Sequence, residues 1–149
     1  MALQTQVKTA VAVAVPGDLA VPDQAMYYPV NLEAGSAGVE CGKFVYVSSG
    51  AAVNAGAGAP LGIAQRNLSY PNYTVTSGAS LVIPEGQPVQ TVTRGDVYVK
   101  IAASANVGDK VYVDGSGNMA FSSASGRTDT GWAVATAGVS GATVVIYKH

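Results

Sequence analysis

The chain has 149 residues and a mass of 15.0 kDa, enough for one domain that buries a core without disulfides or structural metals. Only 11% of residues are charged and the net charge is −1, with the eight Lys and Arg spread singly. No basic residues are gathered in sequence as in a nucleic-acid binder, the supply for a folded patch is small, and the surface left is of small polar residues, weakly defended against association. No run approaches the ~18 apolar residues of a membrane helix.

In chain order, the pattern is that of β-structure. Val11, Val13 and Val15 alternate with alanines before Pro16-Gly17-Asp18 stops the run. This alternation fits a β-segment better than a signal peptide, so the N-terminus is read as retained. Val21-Pro22 and Tyr28-Pro29 impose extended or turn backbone. Residues 1–38 are therefore expected to form an extended N-terminal arm with edge strands, free to be mobile in solution. A β-domain is expected over 39–149.

Within that domain the expected strands are Lys43–Val47, Leu61–Arg66, Leu81–Ile83, Val89–Thr93, Val97–Ala102, Lys110–Val113, Met119–Phe121, Gly131–Ala135 and Thr143–Tyr147. Ser48–Ala59 reads as a small-residue connection, and Arg94-Gly95-Asp96 as a turn entering the next strand. Asp114-Gly115-Ser116-Gly117-Asn118 reads as a hairpin connection. No segment carries the 3.6-residue apolar period of a helix. The fold class is all-β, a small sandwich or barrel of jelly-roll-like type. Gly42-Lys43-Phe44-Val45-Tyr46-Val47 also aligns with Gly108-Asp109-Lys110-Val111-Tyr112-Val113, and each is followed by a glycine-led strand at Gly62 or Gly131. Two related hairpin units fit this pattern, as does the plain popularity of Val-Tyr-Val in strands.

Residues able to do chemistry are scarce. The single histidine, His149, is the last residue, which removes Ser-His-Asp and Cys-His arrangements and any His-based zinc site. Cys41 is alone, so it forms no internal disulfide and is expected to be a small buried residue. Asp109 and Asp114 flank one strand at an odd separation and so face opposite sides, as turn formers do. The chain is read as a non-enzyme with no catalytic, metal or cofactor-binding residues. The aromatics are more informative. Tyr27 and Tyr28 in the arm, and Tyr70 and Tyr73 in a loop, offer low-entropy contact surface. With Val11, Val13 and Val15 they form the candidate partner interface. Trp132 is expected in the core.

The ordered features, Pro16-Gly17-Asp18, then Gly42–Val47, Pro60-Leu61-Gly62-Ile63-Ala64, Val107–Val113 and Gly131-Trp132-Ala133-Val134, resemble the structural cement (decoration) proteins of tailed bacteriophages. The resemblance implies a homo-oligomer, trimer or dimer, made in the host cytoplasm. It would bind the outside of the expanded head and clamp neighbouring major capsid subunits. Nucleic acid and membrane are not expected partners. The arm would add a strand to a neighbour's sheet edge, and loss of residues 1–30 would leave a folded domain that no longer holds its neighbours. Two other readings stay open. One is a phage fibre or host-glycan-binding module using Tyr70 and Tyr73. The other is a barrel-sandwich carrier or adaptor domain suggested by Val107-Gly108-Asp109-Lys110-Val111.

Overall fold

The computed structural model describes residues 14–66, 74–75 and 81–149. After a 3₁₀ turn at Pro22–Gln24 come β1 (Met26–Tyr27), β2 (Leu32–Glu33), β3 (Val39–Glu40), β4 (Phe44–Ser48), β5 (Ala51–Val53), β6 (Gly62–Ala64) and β7 (Thr74–Val75). Then follow β8 (Leu81–Ile83), β9 (Pro88–Val89), β10 (Thr91–Lys100), β11 (Lys110–Asp114), β12 (Met119–Ala120), β13 (Arg127–Val134) and β14 (Thr143–Lys148). No α-helix occurs among the described residues, as the absent 3.6-residue period predicts.

Nine strands form one antiparallel sheet in the order β12-β11-β13-β14-β10-β6-β4-β5, with β1 added on β10. The sheet curls into a half-barrel, so the all-β expectation holds. Small sheets β2-β9 and β3-β8-β7 complete the architecture. Period-two alternation explains the main core: Val97 and Val99 of β10, Val111 and Val113 of β11, and Val144 and Ile146 of β14 point inward around Trp132. In β4 and β6, by contrast, Phe44-Val45-Tyr46 and Gly62-Ile63-Ala64 are all buried. One face of these strands, Phe44 and Ile63, joins the main core. The other, Val45 and Ala64, packs with Val39, Ala52, Ile83 and Val89 in a second core.

Two expected boundaries are corrected. Val89–Thr93 and Val97–Ala102 were expected as separate strands, but one ten-residue strand, β10, runs through Arg94-Gly95-Asp96. Gly95 makes this possible with φ +133°, a conformation L side chains rarely adopt, and a Cβ there would sit 3.1 Å from Ala25 Cα. The register against β1 shifts just before Gly95, where Met26 faces Arg94 and Tyr27 faces Val92 and Thr93 is passed over in a bulge. The first half of β10 thus pairs with β1 and β6, and the second half with β14. Second, Ser48–Ala59 is not merely a connection, because it holds β5, paired in a hairpin with β4. The Asp114–Asn118 hairpin forms as expected, joining β11 to β12.

The aligned segments occupy comparable places. The β4-β5 hairpin is followed by β6 on β4, and the β11-β12 hairpin by β13 on β11. Phe44 faces Ile63 as Val111 faces Trp132, one residue out of step with the alignment of Val45 on Val111.

Candidate partner interface

The N-terminal segment is built onto the body from Val15 onward. Gly17 N donates to Tyr98 O at 2.8 Å, Tyr98 N to Asp18 O at 2.9 Å and Ala20 N to Asp96 O at 2.8 Å. Asp18 accepts Arg66 Nε at 2.6 Å on Oδ1 and Arg66 Nη2 at 3.1 Å on Oδ2, and Oδ2 also takes Val15 N at 3.0 Å. Such a two-pronged guanidinium–carboxylate pair fixes direction as well as distance. Close approach is possible because Gly42 lies beneath, where a Cβ would come within 2.6 Å of Pro16 Cβ. Pro16-Gly17-Asp18 is therefore an anchor and not only a stop signal. Further along, β1 pairs with β10, Tyr28 N donates to Thr91 O at 2.9 Å, and Ala34 N to Gln87 O at 2.8 Å.

What this pinned segment shows to solvent is largely apolar. Met26 is 58% exposed and Val30 56%, with Val21 and Tyr27 also exposed. Four of the seven exposed large apolar side chains among the described residues thus lie within ten positions, Val21 to Val30, forming a ledge. Charges stand beside it: Asp23 is exposed in the 3₁₀ turn, and exposed Arg94 faces Met26 across the pairing.

Of the expected interface residues, Tyr27 is exposed on the ledge, while Tyr28 and Val15 are half-buried. Val15 sits at the Asp18 anchor, beside the second half of β10, whereas Tyr27 and Tyr28 flank its first half. Val11, Val13, Tyr70 and Tyr73 lie outside the described residues. Sequence reasoning missed Met26 and Val30, single apolar residues in a proline-punctuated stretch with no aromatic signal. Their clue was contextual, since nothing from Pro16 to Val30 repeats the alternation of Val11, Val13 and Val15.

The groups weighed for chemistry have structural duties. Asp109 Oδ2 accepts Asn106 N at 2.8 Å. Asp114 Oδ1 accepts Ser116 N at 2.9 Å and Asn118 N at 3.0 Å. The Asn118 amide above all holds the Asp114 carboxyl below its usual pKa range. The Arg94-Gly95-Asp96 tripeptide lies inside a strand, with the Asp96 carboxylate 3.3 Å from His149 Nε2. Cys41 and Trp132 are both buried. Among the described residues no group of three or more His, Cys, Asp or Glu could hold a metal ion, and no helix is long and apolar enough to cross a membrane.

These features define a class: a small β-domain whose outward equipment is a pinned apolar ledge. Comparison with known proteins gives the family. A family model described as "Structural cement protein (E217 gp24/Pam3 gp6)" matches residues 3–148, so the chain belongs to the structural cement proteins of phages. It is a structural component of the phage virion with a capsid cement role, and it associates with capsid proteins. The fold is similar to a chain in the structure entitled "The capsid of Myoviridae Phage XM1", with a TM-score of 0.68 and 18% identity over 99% of this chain and 97% of that one. No curated protein matches the sequence.

Proposed function

We propose that this protein acts from the outside of the expanded head as a non-enzymatic clamp across neighbouring major capsid subunits, using the ledge Val21–Val30 as a shell-facing contact. The observation that carries the reading is the concentration of exposed apolar side chains on a segment hydrogen-bonded to β10. Apolar surface removed from water contributes roughly 25 cal/mol per Å². A ledge held in place by main-chain bonds and the Asp18–Arg66 pair has little ordering entropy to lose on docking. Each contact can be weak, because a shell offers many equivalent sites and a clamp that touches two of them gains effective concentration.

The test is binding of the double variant Met26→Asp, Val30→Asp to expanded shells lacking this protein. The account expects at least about a tenfold loss of affinity, since each carboxylate would be desolvated in the contact, with unchanged folding by circular dichroism. Undiminished binding would overturn the assignment of the ledge. The extent of the domains is proposed as before, an N-terminal segment to residue 38 and a β-domain from 39. The first of these contributes to the fold through its bonds to β10 as well as to docking.

A further inference from the structure

Immediately after Val30 the chain enters the wall of an open cavity of about 560 Å³. Three places supply its walls: Asn31–Ser36 around β2, the β4–β5 turn at Ser49–Ala51, and the β8–β9 turn at Glu85–Gly86. These walls are bonded to one another. Ala34 N donates to Gln87 O at 2.8 Å, Gly86 N to Ala34 O at 3.0 Å, and Gly35 N to Ala52 O at 2.9 Å. Ser49 and Gly50, with φ 49° and 80°, give the β4–β5 turn the φ pattern of a type I′ hairpin, a stiff two-residue connection. The cavity is therefore preformed, and its volume falls in the range of roughly 300–1,000 Å³ that ligand sites occupy. Val30 and Glu33 are three residues apart, so at most about 11 Å of chain separates the ledge from the cavity. A partner seated on one reaches the other.

The charge of this cavity is one-sided. Glu33 and Glu85 are both exposed and are the only charged residues of its lining. Neither has an ion-pair or hydrogen-bond partner among the described residues. Most acidic side chains of this chain are matched. Of the nine, Asp18 faces Arg66, Glu40 faces Lys43, Asp96 faces His149 and Asp129 faces Lys110. Asp109 and Asp114 accept main-chain N–H groups. The three left over are Asp23 beside the ledge and the two in the cavity that follows it. Negative charge left unmatched in a preformed cavity selects a basic occupant by charge complementarity. Leu32 and Ala51 in the same lining offer apolar wall for the stem of a long side chain, and the carboxylates with the Ser36 and Ser49 hydroxyls offer acceptors for its tip. No group of three or more His, Cys, Asp or Glu able to hold a metal ion includes Glu33 or Glu85, which favours a cation carried by the partner.

We propose that this cavity seats a segment of the major capsid subunit that carries a Lys or Arg, its charged tip meeting Glu33 and Glu85. The proposal deepens the clamp reading and rests on it for the identity of the partner. Apolar burial is non-directional, so the ledge supplies contact area, while the cavity beside it fixes the register and orientation in which a shell subunit docks.

The test is the salt dependence with which the full chain binds expanded shells lacking this protein. The unsubstituted protein should lose affinity steadily as sodium chloride rises from about 0.05 M to about 0.5 M, because screening weakens the ion contact. Glu33→Gln, Glu85→Gln keeps the shape of both exposed side chains. It should bind at least about tenfold more weakly at low salt, with a shallower salt dependence. Glu40→Gln, Asp129→Asn removes the same amount of charge outside the cavity and should leave binding unchanged. Equal affinity and equal salt slope for the cavity variant and the unsubstituted protein overturn the proposal. Tighter binding of the cavity variant overturns it too, since the occupant would then be acidic. Loss of binding on adding a chelator would assign the cavity to a bridging divalent cation and equally overturn it. The outcomes separate the two readings. If Met26→Asp, Val30→Asp weakens binding and the cavity variant does not, the ledge stands and the cavity contact is removed. If only the cavity variant weakens binding, the cavity contact stands and the ledge is removed.

Discussion

Two buried or half-buried polar groups set contrasting residue-scale expectations. Tyr46 is buried in the main core, and its hydroxyl has no hydrogen-bond partner among the described residues. Burial first, and the nearby Asp114 charge second, push its pKa above the usual tyrosine value. A folded-state pKa raised above the unfolded one gives stability that is present below the unfolded value and lost as pH rises through the folded one. Tyr46→Phe should therefore stabilise the protein by about 1 kcal/mol, the desolvation of the orphan hydroxyl being relieved. It should also flatten the loss of stability above about pH 10. Urea titrations at neutral and alkaline pH check both; destabilisation at neutral pH would indicate a partner for the hydroxyl. Asp18, in contrast to the orphan Tyr46 hydroxyl, has its hydrogen bonds made, its carboxylate being matched by Arg66 in largely covered surroundings. Asp18→Ala should lower stability by about 1–3 kcal/mol. Lys110→Ala, which removes an exposed pair at 3.5 Å with Asp129, should cost about 0–1 kcal/mol. Equal losses at the two sites would remove the anchor's special status.

At the scale of elements, β10 organises the molecule because one strand serves two parts of the curled sheet. Gly95 is where it changes partners, so Gly95→Ala should lower stability by about 1–3 kcal/mol through backbone strain at φ +133°. It should also speed hydrogen exchange of the Tyr28 amide, which bonds to Thr91 next to β1. Unaltered exchange at Tyr28 would mean that β1 pairing does not depend on the bulge. This strand also shows where sequence reading ends. Alternation in Val97–Lys100, Val111–Val113 and Val144–Ile146 made the inward faces legible, and Asp114–Asn118 announced its hairpin. Gly95 looked like a turn because glycine permits either a turn or a bulge, and only the strands on both sides of β10 decide between them. β5 was hidden because Ala51-Ala52-Val53 has too little bulk to signal a strand, yet Ala52 is small enough to fit the second core. Of the candidate interface, Tyr27 was legible as an exposed aromatic. Met26 and Val30 were not, since exposure of a lone aliphatic residue is a property of the assembled surface.

For the whole molecule, membership of the structural cement family and the described geometry fit together through charge and rigidity. A chain with 11% charged residues has few ionic side chains to spread over its surface, and Val21 to Val30 present four of the seven exposed large apolar side chains among the described residues. This segment is fastened to β10 by main-chain bonds, so force applied to it reaches the sheet without unfolding a linker. The proposed clamp would strengthen a shell by bridging subunits, which decoration without reinforcement would not do. The most direct test is the rupture temperature of expanded shells, followed by light scattering, without the protein and at saturating protein. The account predicts that rupture moves to higher temperature in proportion to occupancy, and that Met26→Asp, Val30→Asp gives no such shift at equal concentration. Full occupancy by the unsubstituted protein with an unchanged rupture temperature would contradict the clamp.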